Sequence, residues 1–535
     1  MTVDAQTLIL AIRTAAEEAR RLASFVDDLD GWEMGDCDTG TNAYRTLQAI
    51  SRALPEGEQH TMVSALDTAC AVGIRQAHGH IGVILTEVFA SWSRCAESFP
   101  DAPLTPVETR RLLNATLVGS PLEDSLHPAI HAVLREGRDA LGDLGDTLPE
   151  VGDVVSTYSL QGQVGLIDET SATTDRINAG AAVLVILLAC VDAAVNDSDT
   201  SLVALARMLA DLAAREGAPA PRTADPLPGR DFTADVIVEG MAEDAAALHT
   251  RLKAIGARHT ITGHTDFFGM GTWRLHIDTG APMAVRPRAG RIIRFLVADA
   301  RPDEAIGEDQ LSDGVSHRGV RLLERRPRMR VQRATVVVCT RSPDLVEDFA
   351  RTGATVLLNP VGDDRDAFID AANASTVGFA LFLPCDEASA RLAASIAADM
   401  AADLTCGTAV EVGPSRDELT ALALARATAP VFVPQPGGPT VAPLMATVLR
   451  EAMAQTLAAT RIIDVGSGPA EETIPASIPS ELPMGAQVRI LVGDSSDEDV
   501  VPIFRHVLDP TSYWGVQVEI LHRGAPGPTL LQVTQ

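Results

Sequence analysis

Between Leu29 and Asn42 the chain reads LDGWEMGDCDTGTN, which places Asp30, Asp36 and Asp38 just ahead of Thr39-Gly40-Thr41-Asn42. Clustered carboxylate oxygens suit a hard cation such as Mg2+, and a metal-bridged phosphate also needs backbone N–H donors. A Thr-Gly-Thr-Asn turn that opens a helix supplies such donors, and Gly40 allows close approach to the backbone. Asp36 and Asp38 point the same way only from an extended backbone, so this stretch must be a loop. An EF-hand counted from Asp36 would need Gly at its sixth position and Glu at its twelfth, where the chain has Thr41 and Leu47. A phosphatase of the DxDx(T/V) type would need an apolar strand before the motif; WEMG stands there, and Gly40 fills the fifth place. The plain alternative is an acidic turn that caps a helix.

Other candidate residues are weaker. His78 and His80 lie two apart with no third ligand evident nearby, so they are read as loop residues, His80 as a donor near phosphate, rather than as metal ligands. The GMG at 269–271 reads as a hairpin turn, and the GSG at 466–468 as part of a linker. No serine nucleophile elbow is present. Lys253 is the sole lysine and sits in RLKAIG, which is neither a P-loop nor the strand lysine of a protein kinase.

These residues need elements to hold them. Apolar residues recur at three- and four-residue spacing from TLILAIRTAAEEARRLASFV through 200–215, which predicts a mainly helical domain of about eight helices over residues 1–215. REGAPAPRTADPLPGRD then breaks the pattern, and 216–231 reads as a linker. A small α/β domain is expected over 232–325. An α/β C-terminal region of βαβ units with a mostly parallel sheet follows over 326–535, with a terminal subdomain at about 485–535 that includes a helix around 498–507. The expected fold class is therefore multidomain, an all-α N-terminal domain followed by α/β middle and C-terminal domains.

LDGWEMGDCDTGTN resembles the signature of the ATP-binding subunit of bacterial fatty-acid kinases, whose first domain is similar to the L-type (DhaL) nucleotide domain of dihydroxyacetone kinases. QAHGHIGVILTEVF (76–89) is similar to that family's phosphate-side loop, and INAGAAVLVIL (177–187) to a later glycine-containing segment. GSPLEDSLHPA (119–129), WRLHIDTGAP, FARTGATVLLNP and FALFLPCDEASA resemble further segments, so the likeness runs along essentially the whole chain. It implies an eight-helix DhaL-like barrel that holds ATP and two Mg2+ ions at one end. It implies metal ligation by Asp30, Asp36 and Asp38, catalytic roles for Asp36 and Asp38, and nucleotide contacts from Thr39, Gly40, Thr41, Asn42, Gly79, His80, Ile81, Gly82, Asn178 and Gly180. The implied reaction is ATP-dependent phosphorylation of a carboxylic acid, a fatty acid carried by a DegV-like lipid-binding partner, by a homodimeric protein. The chain departs from the family where Asn-Ser-Gly has become His80-Ile81-Gly82 and a usual Asp has become Asn178. The family's possible metal-binding Cys and His positions in the middle domain match Phe232, His276 and Asp278, and no zinc site is expected there. Two alternatives stay open: a catalytically degenerate nucleotide-binding regulator or scaffold, and a kinase for another small acid or a glycerone-like hydroxy compound.

Composition bounds the rest. At 535 residues the chain exceeds one ordinary core, and 46% apolar with 21% charged residues is the balance of a globular protein. A net charge of −29 argues against general nucleic-acid binding. The twelve arginines between Arg286 and Arg333 are read as a solvated linker, with an anion-binding or partner-docking surface as the alternative. Seven scattered cysteines without a CxxC, and no basic-then-apolar leader, lead to the expectation of reduced thiols in a cytoplasmic protein without integral membrane association.

Overall fold

The computed structural model describes residues 3–30, 38–55, 60–99, 101–144, 150–173, 176–215, 229–300, 332–362, 364–374, 378–403, 407–433, 441–465, 486–493, 502 and 516–534. The first 215 residues are helical: α1 (Ala5–Asp30), α2 (Thr39–Ala53), α3 (Met62–Gln76), α4 (Gly79–Ala96), α5 (Pro106–Asn114), α6 (Pro128–Asp143), α7 (Val151–Thr173), α8 (Ala179–Asn196) and α9 (Thr200–Arg215). Helix α8 is apolar on every side and runs through the core. It is long and apolar enough to cross a membrane, but 83% of its apolar window is buried inside the fold. Helix α2 crosses α1 so closely that a Cβ on Gly40 would lie 2.2 Å from the Ala23 carbonyl oxygen. That approach fixes the end of α1 beside the start of α2.

The α/β part begins with β1 (Phe232–Met241), α10 (Ala242–Ala254), β2 (Arg258–Thr265), β3 (Met270–Thr279) and β4 (Arg291–Asp299). It continues with β5 (Gln332–Arg333), β6 (Thr335–Thr340), β7 (Thr355–Leu358), β8 (Phe379–Leu383), β9 (Ala409–Val412), β10 (Phe432–Val433), β11 (Thr460–Asp464), β12 (Gln487–Val492), β13 (Gln517–His522) and β14 (Leu530–Thr534). The middle and C-terminal segments share one eight-stranded sheet of order β2-β3-β1-β4-β7-β6-β8-β9. Its first four strands are antiparallel and its last four parallel, and the halves join where Leu296 and Val297 pair with Leu357 and Val356. The short apolar strands of the parallel half, with helices Arg365–Asn373 and Glu387–Ala402 between them, are the βαβ pattern expected there. A separate four-stranded sheet, β11-β14-β12-β13, closes the chain. The turn at GMG is a hairpin between β2 and β3, with Gly269 at φ +81°. The linker over 216–228, the arginines between 301 and 331, GSG at 466–468 and nearly all of the helix expected around 498–507 lie outside the described residues.

Side chains alternate across β1–β3, and the register makes the alternation consequential. Val236, Leu275 and Ile261 form an apolar row, whereas Asp235, His276 and Thr260 form the adjacent row on the opposite face. That polar face is nonetheless buried, because the α3–α4 hairpin packs onto it. Thr262 donates to the fully buried Glu87 of α4 at 2.6 Å, and Arg94 reaches the other oxygen of Glu87 at 2.7 Å. Two arginines complete the joint. Arg274 bridges Asp235 at 2.7 Å and the Ala77 carbonyl at 2.6 Å. Arg294 grips Asp364 through two bonds of 2.7 Å and donates to the Arg75 carbonyl at 2.9 Å. Burial pushes the neighbouring Asp370 carboxyl up to about 7, against the pull of Arg294 and Arg274.

Arg294 and Asp364 are almost wholly buried, so removing one partner strands a charge. Arg294→Met should therefore destabilise the fold by about 3–5 kcal/mol in equilibrium urea unfolding. A loss below about 1 kcal/mol would mean that Arg294, through its bond to the Arg75 carbonyl, is not what joins the helical region to the sheet.

Candidate functional site

Three helix starts meet at one end of the helical region. Asp38 is the N-cap of α2, His78 of α4 and Asn178 of α8. Gly79 has φ +61°, and a Cβ there would lie 2.5 Å from the Asn42 side-chain amide. A Cβ on Gly82 would lie 2.5 Å from the Thr46 hydroxyl, which also accepts from the His78 amide at 3.0 Å. Ile81 in turn reaches to 4.0 Å of the position a Gly180 Cβ would take. The predicted residues Asp38 to Asn42, Gly79 to Gly82, Asn178 and Gly180 thus form one neighbourhood. Helix N-termini carry partial positive charge and point N–H groups outward, so three of them together favour a polyanion.

The acidic part is only partly described: Asp36 and the side chain of Asp30 lie outside the described residues. Asp38 does not use its side chain to cap α2, in contrast to the capping-turn alternative. Capping falls to a residue that sequence reasoning missed. Asp27, buried near the end of α1, accepts from the Thr41 amide at 2.9 Å and from its hydroxyl at 2.7 Å. The amide and hydroxyl protons of Thr41 are thus engaged inside the protein. Asn42 likewise gives its amide to the Asp38 carbonyl in the ordinary helical bond. Asn178 accepts from Ala181 N at 2.9 Å and so caps α8 through its Oδ1. Asp27 precedes Asp30 by one helical turn, a spacing that could have drawn attention to it.

A second residue missed from sequence is Arg45, nearly two turns into α2. Its guanidinium donates to the Asn373 carbonyl at 3.0 Å and lies within the electrostatic reach of Asp38, Asp370 and Asp27. It brings a fixed cation to the carboxylate cluster. The two loop histidines are neutral. Burial, reinforced by Arg45 and Arg274, lowers His78 to about 3, and burial lowers His80 to about 4 against the opposing pull of Asp278. The ring of His80, in the first turn of α4, turns toward the sheet: Nδ1 lies 3.0 Å from Thr260 Oγ1 and Nε2 3.2 Å from Asp278 Oδ2. Phe232 is wholly buried with the Arg351 guanidinium over its ring.

The depressed His78 value has a sign. A histidine that is neutral when folded but ordinary when unfolded leaves stability at its full value above about pH 6.5. Stability is then withdrawn as pH falls toward 3, because only the unfolded chain takes up the proton. Chemical unfolding at a series of pH values should show a shallower acid loss for His78→Asn than for the wild type; parallel curves would contradict the buried neutral assignment.

Among known families, residues 33–120 match the DAK2 domain. The matched stretch holds α2, the α3–α4 turn and α5, including the helix starts at Thr39 and Gly79. No curated protein matches the chain. Residues 33–120 are thus similar to a domain of dihydroxyacetone-kinase-like ATP-dependent phosphotransferases.

Proposed function

We propose that this protein is an ATP-dependent kinase that phosphorylates a carboxylic acid to an acyl phosphate, with the helical region as a DhaL-like eight-helix nucleotide barrel. The observation that carries the reading is the meeting of the α2, α4 and α8 starts beside Asp27 and Asp38, two of those starts lying in the DAK2 match. Carboxylate oxygens are the donor set that Mg2+ prefers, which fits Asp30, Asp36 and Asp38 as its holders. Bound there, Mg2+ would neutralise phosphate charge and ATP would supply the phosphoryl group.

The chain's own residues then position and screen. Asp27 fixes the Thr41 turn so that the start of α2 presents its amide end toward the phosphates. Arg45 offsets the repulsion between two anions that must come together. A carboxylic acid with a pKa near 4–5 is already ionised near pH 7, so no general base is required. Its oxygen forms the new P–O bond as the bond to the departing ADP breaks. By resemblance the acid is a fatty acid presented by a DegV-like lipid-binding partner. The C-terminal α/β region serves as its docking surface and as the homodimer contact.

A second reading is a nucleotide-binding regulator without turnover. It draws on the orientation of His80, which takes a place the family gives to a polar phosphate-side residue yet faces Thr260 and Asp278. Acyl-phosphate formation with Mg-ATP, measured with and without a DegV-like partner loaded with fatty acid, separates the two. The kinase reading predicts partner-dependent turnover that falls roughly 100-fold or more in Asp36→Asn and Asp38→Asn. Turnover that survives both substitutions removes the metal assignment, and nucleotide binding without turnover for any acid supports the regulator.

A further inference from the structure

Arg45 follows Thr41 by four residues and Asp38 by seven, so the three lie along one side of α2. The side chain is half-buried, and its guanidinium makes one hydrogen bond, from Nη2 to the Asn373 carbonyl at 3.0 Å. Asn373 is the last residue of the Arg365–Asn373 helix in the α/β part, 328 positions along the chain. Carbonyls in a last helical turn lack internal partners and sit at the negative end of the dipole, so a cation suits them. Among the described residues, Nε and Nη1 of Arg45 donate to nothing, although Asp38, Asp370 and Asp27 act on the group electrostatically. With one Nη2 hydrogen spent, one edge of the planar group stays able to grip two oxygens of a phosphoryl group.

The helix that holds Arg45 is itself held. Arg294 grips its N-cap Asp364 through two bonds of 2.7 Å and reaches Asp370, three residues before Asn373, at 3.4 Å. The same guanidinium donates to the Arg75 carbonyl of α3 at 2.9 Å, just ahead of the turn that opens α4. Both ends of the Arg365–Asn373 helix are therefore referred to the place where the helix starts meet. Arg45 takes its direction from the α/β part and not from α2 alone. A long side chain tethered in this way has less rotamer freedom left for a ligand to freeze.

Resting on the kinase reading, we propose that Arg45 binds the terminal phosphoryl group of the nucleotide and that the Arg365–Asn373 helix positions it. The helical region supplies the cation and the α/β part supplies its aim, so the site is complete only with both. Arg45 touches the phosphoryl oxygens; Asp370 is a positioning residue that acts through the helix end and Arg45.

The test is calorimetric titration of the full-length protein, in Mg2+, with ADP and with a non-hydrolysable ATP analogue. Arg45→Met should weaken the analogue roughly 10- to 100-fold, the loss of a charged hydrogen bond. ADP affinity should stay within about threefold. Arg45→Lys should recover part of the loss, and guanidinium ion below denaturing concentration should rescue analogue binding to Arg45→Ala. A purely structural role would allow no such rescue. Asp370→Asn should also weaken the analogue, and Asn373→Gly, an exposed change that loosens the helix end, should do so to a smaller extent. Neither should have a further effect once Arg45 is Met, because both act through that side chain. Far-UV circular dichroism confirms that each variant is folded. Equal weakening of ADP and analogue by Arg45→Met would overturn the proposal and leave the nucleotide reading standing. So would an effect of Asp370→Asn or Asn373→Gly that persists undiminished in Arg45→Met. Absence of ADP binding to the folded wild type would overturn both.

Discussion

The structure depends on two buried arginines that leave the sheet and end on the carbonyls of α3. Burying a guanidinium is costly unless its donors are matched. Arg294 matches its fork to Asp364 and spends another N–H on the Arg75 carbonyl, whereas Arg274 reaches Asp235 and the Ala77 carbonyl through Nη2 and leaves its buried Nε and Nη1 without a partner among the described residues. Carbonyls at a helix C-terminus lack internal partners and sit at the negative end of its dipole, so a cation is the fitting cap for them. Helix α4 starts at Gly79, two residues beyond the capped carbonyl of Ala77. The strands therefore set where the glycine-containing turn begins, and through Gly79 and Asn42 that turn sets its distance from α2.

This joint explains why the candidate site differs in character on its two sides. On the α2 side, Asp27, Asp38 and Arg45 place carboxylates and a fixed cation near the aspartate loop. On the α4 side, the neutral His78 and His80 sit among arginines and against a polar sheet face. Asp235 and Asp278 stay ionised there. Burial alone would raise both carboxyls, but Arg274 and His276 around Asp235, and His80 and His276 around Asp278, hold them well below the usual carboxylate range.

Much of the layout was legible because it rests on local periodicity. The three- and four-residue apolar spacing marked the helices, and short apolar runs marked β6 to β8. The aspartate loop and DTGTN were also legible, since carboxylate spacing and turn chemistry are local. What escaped depends on distance along the chain. Asp27 looks like any polar position of α1 until Thr41 folds against it, 14 residues on. The partner of His80 lies 198 residues away on β3, so no inspection of the loop could show which way its ring turns. The alternation on β3 showed a strand, but not that α3 and α4 bury its polar face. The pairing of β4 with β7, which merges the middle and C-terminal segments into one sheet, is likewise a matter of topology rather than pattern.

The most direct test of the central claim is hydrogen–deuterium exchange with Mg2+ and a non-hydrolysable ATP analogue. The account predicts Mg2+-dependent protection concentrated in residues 38–46, 78–86 and 178–184, the first turns of α2, α4 and α8. Protection confined to other segments, or none at saturating nucleotide, would contradict it.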